Sequence, residues 1–153
     1  MLKPIVLVED NPHDLELTLV ALERSQLAND VVVLRDGAEA VNYLLRREPH
    51  ADREPGNPAV MLLDLKLPKV DGLEVLELIR RTPELCSIPV VMLTSSREEP
   101  DLEKAYELGV NAYVVKPVEF RDFVAAISDL GVFWAVLNEP PPGSRRVTRR
   151  IGR

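Results

Sequence analysis

Four places in this sequence carry the side chains that chemistry at phosphorus would need. Glu9 and Asp10 follow the apolar residues 5–8, Asp64 follows residues 59–63, Thr94, Ser95 and Ser96 follow residues 89–93, and Lys116-Pro117 follow residues 112–115. Carboxylates gathered without histidine or cysteine suit a hard cation. Mg²⁺ typically takes one or two carboxylates, with waters and a phosphate oxygen completing its shell. A carboxylate that attacks phosphorus makes an acyl phosphate, whose added negative charge needs a metal and a cationic side chain to offset it. On that chemistry Asp64 is the candidate nucleophile, Mg²⁺ and Lys116 the charge stabilisers, and Thr94 a hydroxyl donor. Each residue alone has a plainer reading, since Asp and Asn often cap the loops that precede helices. The argument rests on all four places acting together.

A parallel sheet would gather them. Residues 5–9, 31–34, 59–63, 89–93 and 112–115 are short, apolar and rich in β-branched types, which reads as five strands. Most are continuously apolar instead of alternating, the habit of strands covered by helices on both faces. Helical patterns lie between and after them, at 14–25, 38–46, 73–80, 101–108 and 119 to about 137. Alternating strands and helices predict an α/β fold with right-handed crossovers. The expected architecture is a five-stranded parallel doubly wound sheet of order 2-1-3-4-5, flavodoxin-like, with ligands at the carboxyl ends of the strands beside the switch point. Residues 47–58 hold three prolines and read as a surface loop.

The 153 residues suffice for one domain and a tail. We expect a domain over residues 1–137, ending in an extended helix or arm, and a Pro/Arg-rich tail over 138–153. The net charge of −6 conceals an asymmetry: residues 138–153 hold five arginines against Glu139 alone. The acidic body argues against nucleic acid, and the tail contains no recognition motif. No apolar run approaches membrane-spanning length, so a cytoplasmic protein is expected. Cys86 is the only cysteine, which excludes an intramolecular disulfide or a cysteine-cluster metal site.

The segments Val8-Glu9-Asp10-Asn11, 63–72 (Leu-Asp-Leu-Lys-Leu-Pro-Lys-Val-Asp-Gly), Leu93-Thr94-Ser95-Ser96 and 112–117 (Ala-Tyr-Val-Val-Lys-Pro) resemble those of bacterial response-regulator receiver domains. The resemblance covers about residues 3–130. It implies Asp64 as phosphoacceptor, with Asp10, Asp64 and the backbone carbonyl of Lys66 as Mg²⁺ ligands and Glu9 acting through water. Thr94 and Lys116 would contact the phosphoryl group, Thr94 and Tyr113 would form a conformational switch, and the peptide before Pro117 would be cis. A sensor histidine kinase is the implied partner and a phosphorelay the implied setting. The three-proline loop, residues 106–109 and Phe133-Trp134 resemble the small receivers that accompany bacteriophytochromes. The family often has two aspartates where this chain has Glu9-Asp10, a common exchange.

Other classes fit less well. A phosphatase of the haloacid-dehalogenase type would place a general acid two residues after its aspartate, where this chain has Lys66. A flavodoxin would need a phosphate-cradling loop in place of residues 9–12. A receiver fold that no longer accepts phosphate would not be expected to retain Asp10, Asp64, Thr94 and Lys116 together. No folded output domain is expected after Leu137, so a signal would pass through a partner protein.

Phe120, Phe123, Ile127, Leu130, Trp134 and Leu137 recur at intervals of 3, 4, 3, 4 and 3. The first four are expected to cover the protein's own sheet. Phe133, Trp134 and Leu137 lie further along than a minimal last helix requires, so a homodimer interface is expected there.

Overall fold

The computed structural model describes residues 3–25 and 29–129. Five strands, β1 (Ile5–Val8), β2 (Val31–Leu34), β3 (Val60–Asp64), β4 (Val90–Thr94) and β5 (Ala112–Val115), form one parallel sheet of order β2-β1-β3-β4-β5. The helices are α1 (Pro12–Arg24), α2 (Gly37–Leu44), α3 (Gly72–Arg81), α4 (Pro100–Glu107) and α5 (Phe120–Asp129). The expected fold class and strand order are those observed.

Continuous apolarity in the strands serves two cores. Val6, Val8, Met61, Leu63, Val90 and Met92 face one cluster, built with Ala40, Leu44, Val75, Leu76, Ile79, Leu102 and Ala105 from α2, α3 and α4. Their neighbours Ile5, Leu7, Val60, Leu62, Val91 and Leu93 face the other, with Ala21 and Leu22 of α1 and Phe123 and Ala126 of α5. Successive side chains on a strand point to opposite faces, so a sheet buried on both sides needs apolar residues at every position.

Helix starts are set by caps that also shape the carboxyl edge of the sheet. Asn11 accepts from the Asp14 N–H, with Pro12 at the first helical position, where its missing N–H costs no hydrogen bond. Thus α1 begins two residues before the expected start at residue 14. Asp36 caps α2, and Asp71 makes a reciprocal capping box with Glu74 on α3. Gly72 must be glycine, because a Cβ there would run into the carbonyl oxygen of Asp64 and lie 2.8 Å from that of Leu65. Gly72→Ala is expected to cost about 1–3 kcal/mol by overpacking against backbone. An unchanged urea midpoint would show that α3 can move away without loss.

The three-proline segment is a surface loop, as expected, and Arg53 organises it. The Arg53 guanidinium donates to the carbonyls of Tyr43, Leu44, Glu54 and Gly56 and lies 4.3 Å from the centre of the Tyr43 ring. Phe123 is buried, but Phe120 does not cover the sheet as expected. It is 36% exposed, with the Arg24 guanidinium 5.3 Å from its ring centre. Leu130, the residues Phe133, Trp134 and Leu137 expected at a dimer interface, and the tail lie outside the described residues. No described helix is long and apolar enough to cross a membrane.

Candidate functional site

The parallel register brings the chemistry-bearing residues to one edge. The Glu9 N–H donates to the Leu34 carbonyl, the Leu65 N–H to that of Leu93 and the Lys116 N–H to that of Thr94, so the strands end in step. Above those ends lies an open cleft of about 210 Å³, lined by Asp10, Asn11, Asp14, Asp64, Lys66, Thr94, Ser95, Glu99 and Lys116 among others.

Asp64, the last residue of β3, is 3% exposed, and a donor meets each of its oxygens. Oδ1 accepts from the Lys66 backbone N–H at 3.0 Å, and Oδ2 accepts from Lys116 Nζ at 3.0 Å. Lys116 also reaches Asp14 Oδ2 at 3.1 Å and Glu9 Oε1 at 3.4 Å. Burial disfavours its charge, but the hydrogen bond and charge of Asp64, followed by Glu9 and Asp14, outweigh that and hold the ammonium above the ordinary lysine value. The Lys116–Pro117 peptide is cis, as is Glu48–Pro49.

Glu9 has no solvent exposure. Burial chiefly, then the hydrogen bond and charge of Asp64, push its carboxyl up to about 8, against the pull of Lys116 and the Asn11 N–H. Asp10 beside it is exposed. Glu9, Asp10 and Asp64 each offer a carboxylate oxygen within 4.8 Å of the others. This is an all-oxygen donor set of the kind that suits Mg²⁺, and a cation there would relieve the crowding of negative charge.

Thr94 ends β4 at 1% exposure, and its hydroxyl donates to the Ser96 carbonyl at 3.0 Å. Tyr113 on the edge strand β5 sets its ring at 90° to that of Tyr106 on α4, with centroids 6.2 Å apart. The Lys66 side chain extends over the β4–α4 side, 2.6 Å from Asp101 Oδ2 and 3.4 Å from Glu99 Oε1.

A family model described as the response regulator receiver domain matches residues 5–128. The chain belongs to this family. The receiver is similar to the solved bacteriophytochrome response regulator RtBRR at 73% identity, over 94% of this chain and 87% of that one, with a TM-score of 0.85. It is similar to the bacteriophytochrome response regulator AtBRR at 68% identity, over 91% and 99%, with a TM-score of 0.83. Response regulator Rcp1 of Synechocystis sp. is 39% identical over 132 residues, 86% of this receiver and 88% of that protein. The structure of the Mn²⁺-bound form of Rcp1 superposes with a TM-score of 0.71, at 35% identity over 94% of this chain and 98% of that one.

The receiver thus collects Glu9, Asp10, Asp64, Lys66, Thr94 and Lys116 around one cleft and sets Tyr113 apart, beside Tyr106. Sequence reasoning missed Asp14, Glu99, Asp101 and the Tyr106 partner of Tyr113. Asp14 alone carried a usable signal: on a helix capped by Asn11, a residue four positions after Asp10 lies on the turn that overhangs the strand ends.

Proposed function

We propose that this receiver takes a phosphoryl group from the phosphohistidine of a sensor histidine kinase onto Asp64, in a Mg²⁺-dependent reaction, as one step of a phosphorelay. The observation that carries the reading is the Asp64 carboxylate at the base of an open cleft, held between the Lys66 N–H and the Lys116 ammonium at 3.0 Å each. A carboxylate oxygen attacks phosphorus, the N–P bond of the donor breaks, an O–P bond forms, and the kinase histidine leaves with the electron pair. The protein acts as phosphoacceptor and promotes only its own loading and unloading.

Asp10, Asp64 and the Lys66 carbonyl would hold Mg²⁺, with Glu9 acting through water. When bound, the ion offsets negative charge on the transferring phosphoryl oxygens. Lys116 offsets the charge of the product, and Thr94 turns its hydroxyl from the Ser96 carbonyl toward the new oxygens. Tyr113 then moves into the space beside Thr94, shifting an equilibrium that exists before phosphorylation. We place the reaction in the cytoplasm, where a kinase is charged by ATP.

We assign a bacteriophytochrome as the kinase, which the likeness to RtBRR and AtBRR supports. Labelled, autophosphorylated bacteriophytochrome kinase is expected to transfer its phosphoryl group to this receiver faster than an unrelated histidine kinase does. Equal rates would remove that assignment. A homodimer through Phe133, Trp134 and Leu137 completes the reading, and Phe133→Glu/Trp134→Glu is expected to halve the sedimenting mass. A wild type that sediments as a monomer at tens of micromolar, phosphorylated or not, would end it.

A further inference from the structure

We infer that Asp14 is a positioning residue of this site, whose carboxylate keeps the Lys116 ammonium in the cleft after a cation has drawn in the other acids. The inference rests on the reading of Asp64 as phosphoacceptor.

An ammonium has three N–H donors, and here three carboxyl groups surround it: Asp64 at 3.0 Å, Asp14 at 3.1 Å and Glu9 at 3.4 Å. Two of the three have a competing duty. Glu9 and Asp64 belong with Asp10 to the carboxylate group that could hold a metal, whereas Asp14 lines the cleft outside that group. A divalent cation beside Glu9 and Asp64 reduces their attraction for a second positive charge and repels Lys116 directly. Asp14 is the acid that remains wholly available to the lysine.

The local structure makes Asp14 a firm anchor. It sits in the first turn of α1, its N–H donates to the Asn11 side chain, and its carbonyl accepts from the Thr18 hydroxyl at 2.8 Å. A short side chain on a pinned backbone faces a lysine side chain that is 14% exposed, while Asp14 itself is 26% exposed. The long, flexible lysine is therefore held from a second, fixed element and stays where a phosphoryl oxygen will arrive.

The test uses the full chain, acetyl phosphate as donor and saturating Mg²⁺. Asp14→Asn keeps a residue suited to a helix's first turn while removing the charge, and should slow labelling of Asp64 by roughly fivefold, the effect of losing one partly exposed ion pair. Mg²⁺ affinity should stay unchanged, and Asp14→Glu should recover part of the rate. In a Lys116→Ala background the same Asn substitution should have no further effect. In the Mg²⁺-loaded protein, the Lys116 methylene NMR signals should shift and sharpen in Asp14→Asn as the side chain gains freedom. Unmoved Lys116 signals, an unchanged or faster rate, or an equal slowing without Lys116 would each overturn the tether. A protein whose Lys116 signals respond but which takes up no phosphoryl group would overturn the phosphoacceptor reading and leave the tether standing.

Discussion

Asp64→Asn is expected to fold normally and to accept no acyl-linked phosphoryl group, even with excess phosphorylated kinase and Mg²⁺. The amide has nearly the shape of the carboxylate, so it fits the buried end of β3, and its carbonyl oxygen can still accept from the Lys66 N–H. What disappears is the nucleophile. An amide oxygen is a far weaker one, and the variant also loses the negative charge that Lys116 faces at 3.0 Å. Asp10, Asp14 and Glu99 line the same cleft, and Glu9 adjoins Asp64, so these are the alternative acceptors. Mass spectrometry of the labelled protein, with hydroxylamine cleavage to identify an acyl phosphate, distinguishes them. Label at wild-type stoichiometry in Asp64→Asn would move the acceptor to another carboxylate and undo the proposed mechanism.

What the sequence made legible follows from covalent order. Strand ends are readable because apolarity stops abruptly, and a parallel sheet then forces those ends to a common edge, so the cluster of Asp64, Thr94 and Lys116 needed only the strand order. Pairings between side chains on different elements were not readable. Asp14 meets Lys116, Lys66 meets Asp101 and Tyr106 meets Tyr113 only after helices settle on the sheet. Phe120 shows how periodicity misleads: it shares the apolar spacing of Phe123, yet its position in the first turn of α5 leaves it against Arg24 instead of the sheet. Glu9 shows the same limit for charge. Its type and place were evident, but its complete burial, which raises its carboxyl, comes only with the fold, where it joins Leu34 of β2 and meets Asp64 at the end of β3.

That burial leads to a coupling between protons, Mg²⁺ and stability. With its carboxyl pushed up to about 8 from an ordinary 4.5, Glu9 keeps a proton in the metal-free folded protein at neutral pH, whereas the unfolded chain has already released it. The folded state therefore binds more protons between those values, and metal-free stability must fall as pH rises from about 5 to 8, then level off. Glu9→Gln cannot ionise and should flatten this slope, raising the metal-free urea midpoint most at the alkaline end. Mg²⁺ acts in the opposite direction, because a cation beside Glu9, Asp10 and Asp64 favours the ionised acids and so expels the proton. Apparent Mg²⁺ affinity should then strengthen by up to about tenfold for each unit that pH rises toward 8, with about one proton released per ion bound. Calorimetric titrations at pH 7 in two buffers of different ionisation enthalpy would count that proton directly. A Mg²⁺ affinity that stays flat from pH 6 to 8.5 would show that Glu9 is already ionised in the folded protein, and that Lys116 prevails over burial in setting its charge.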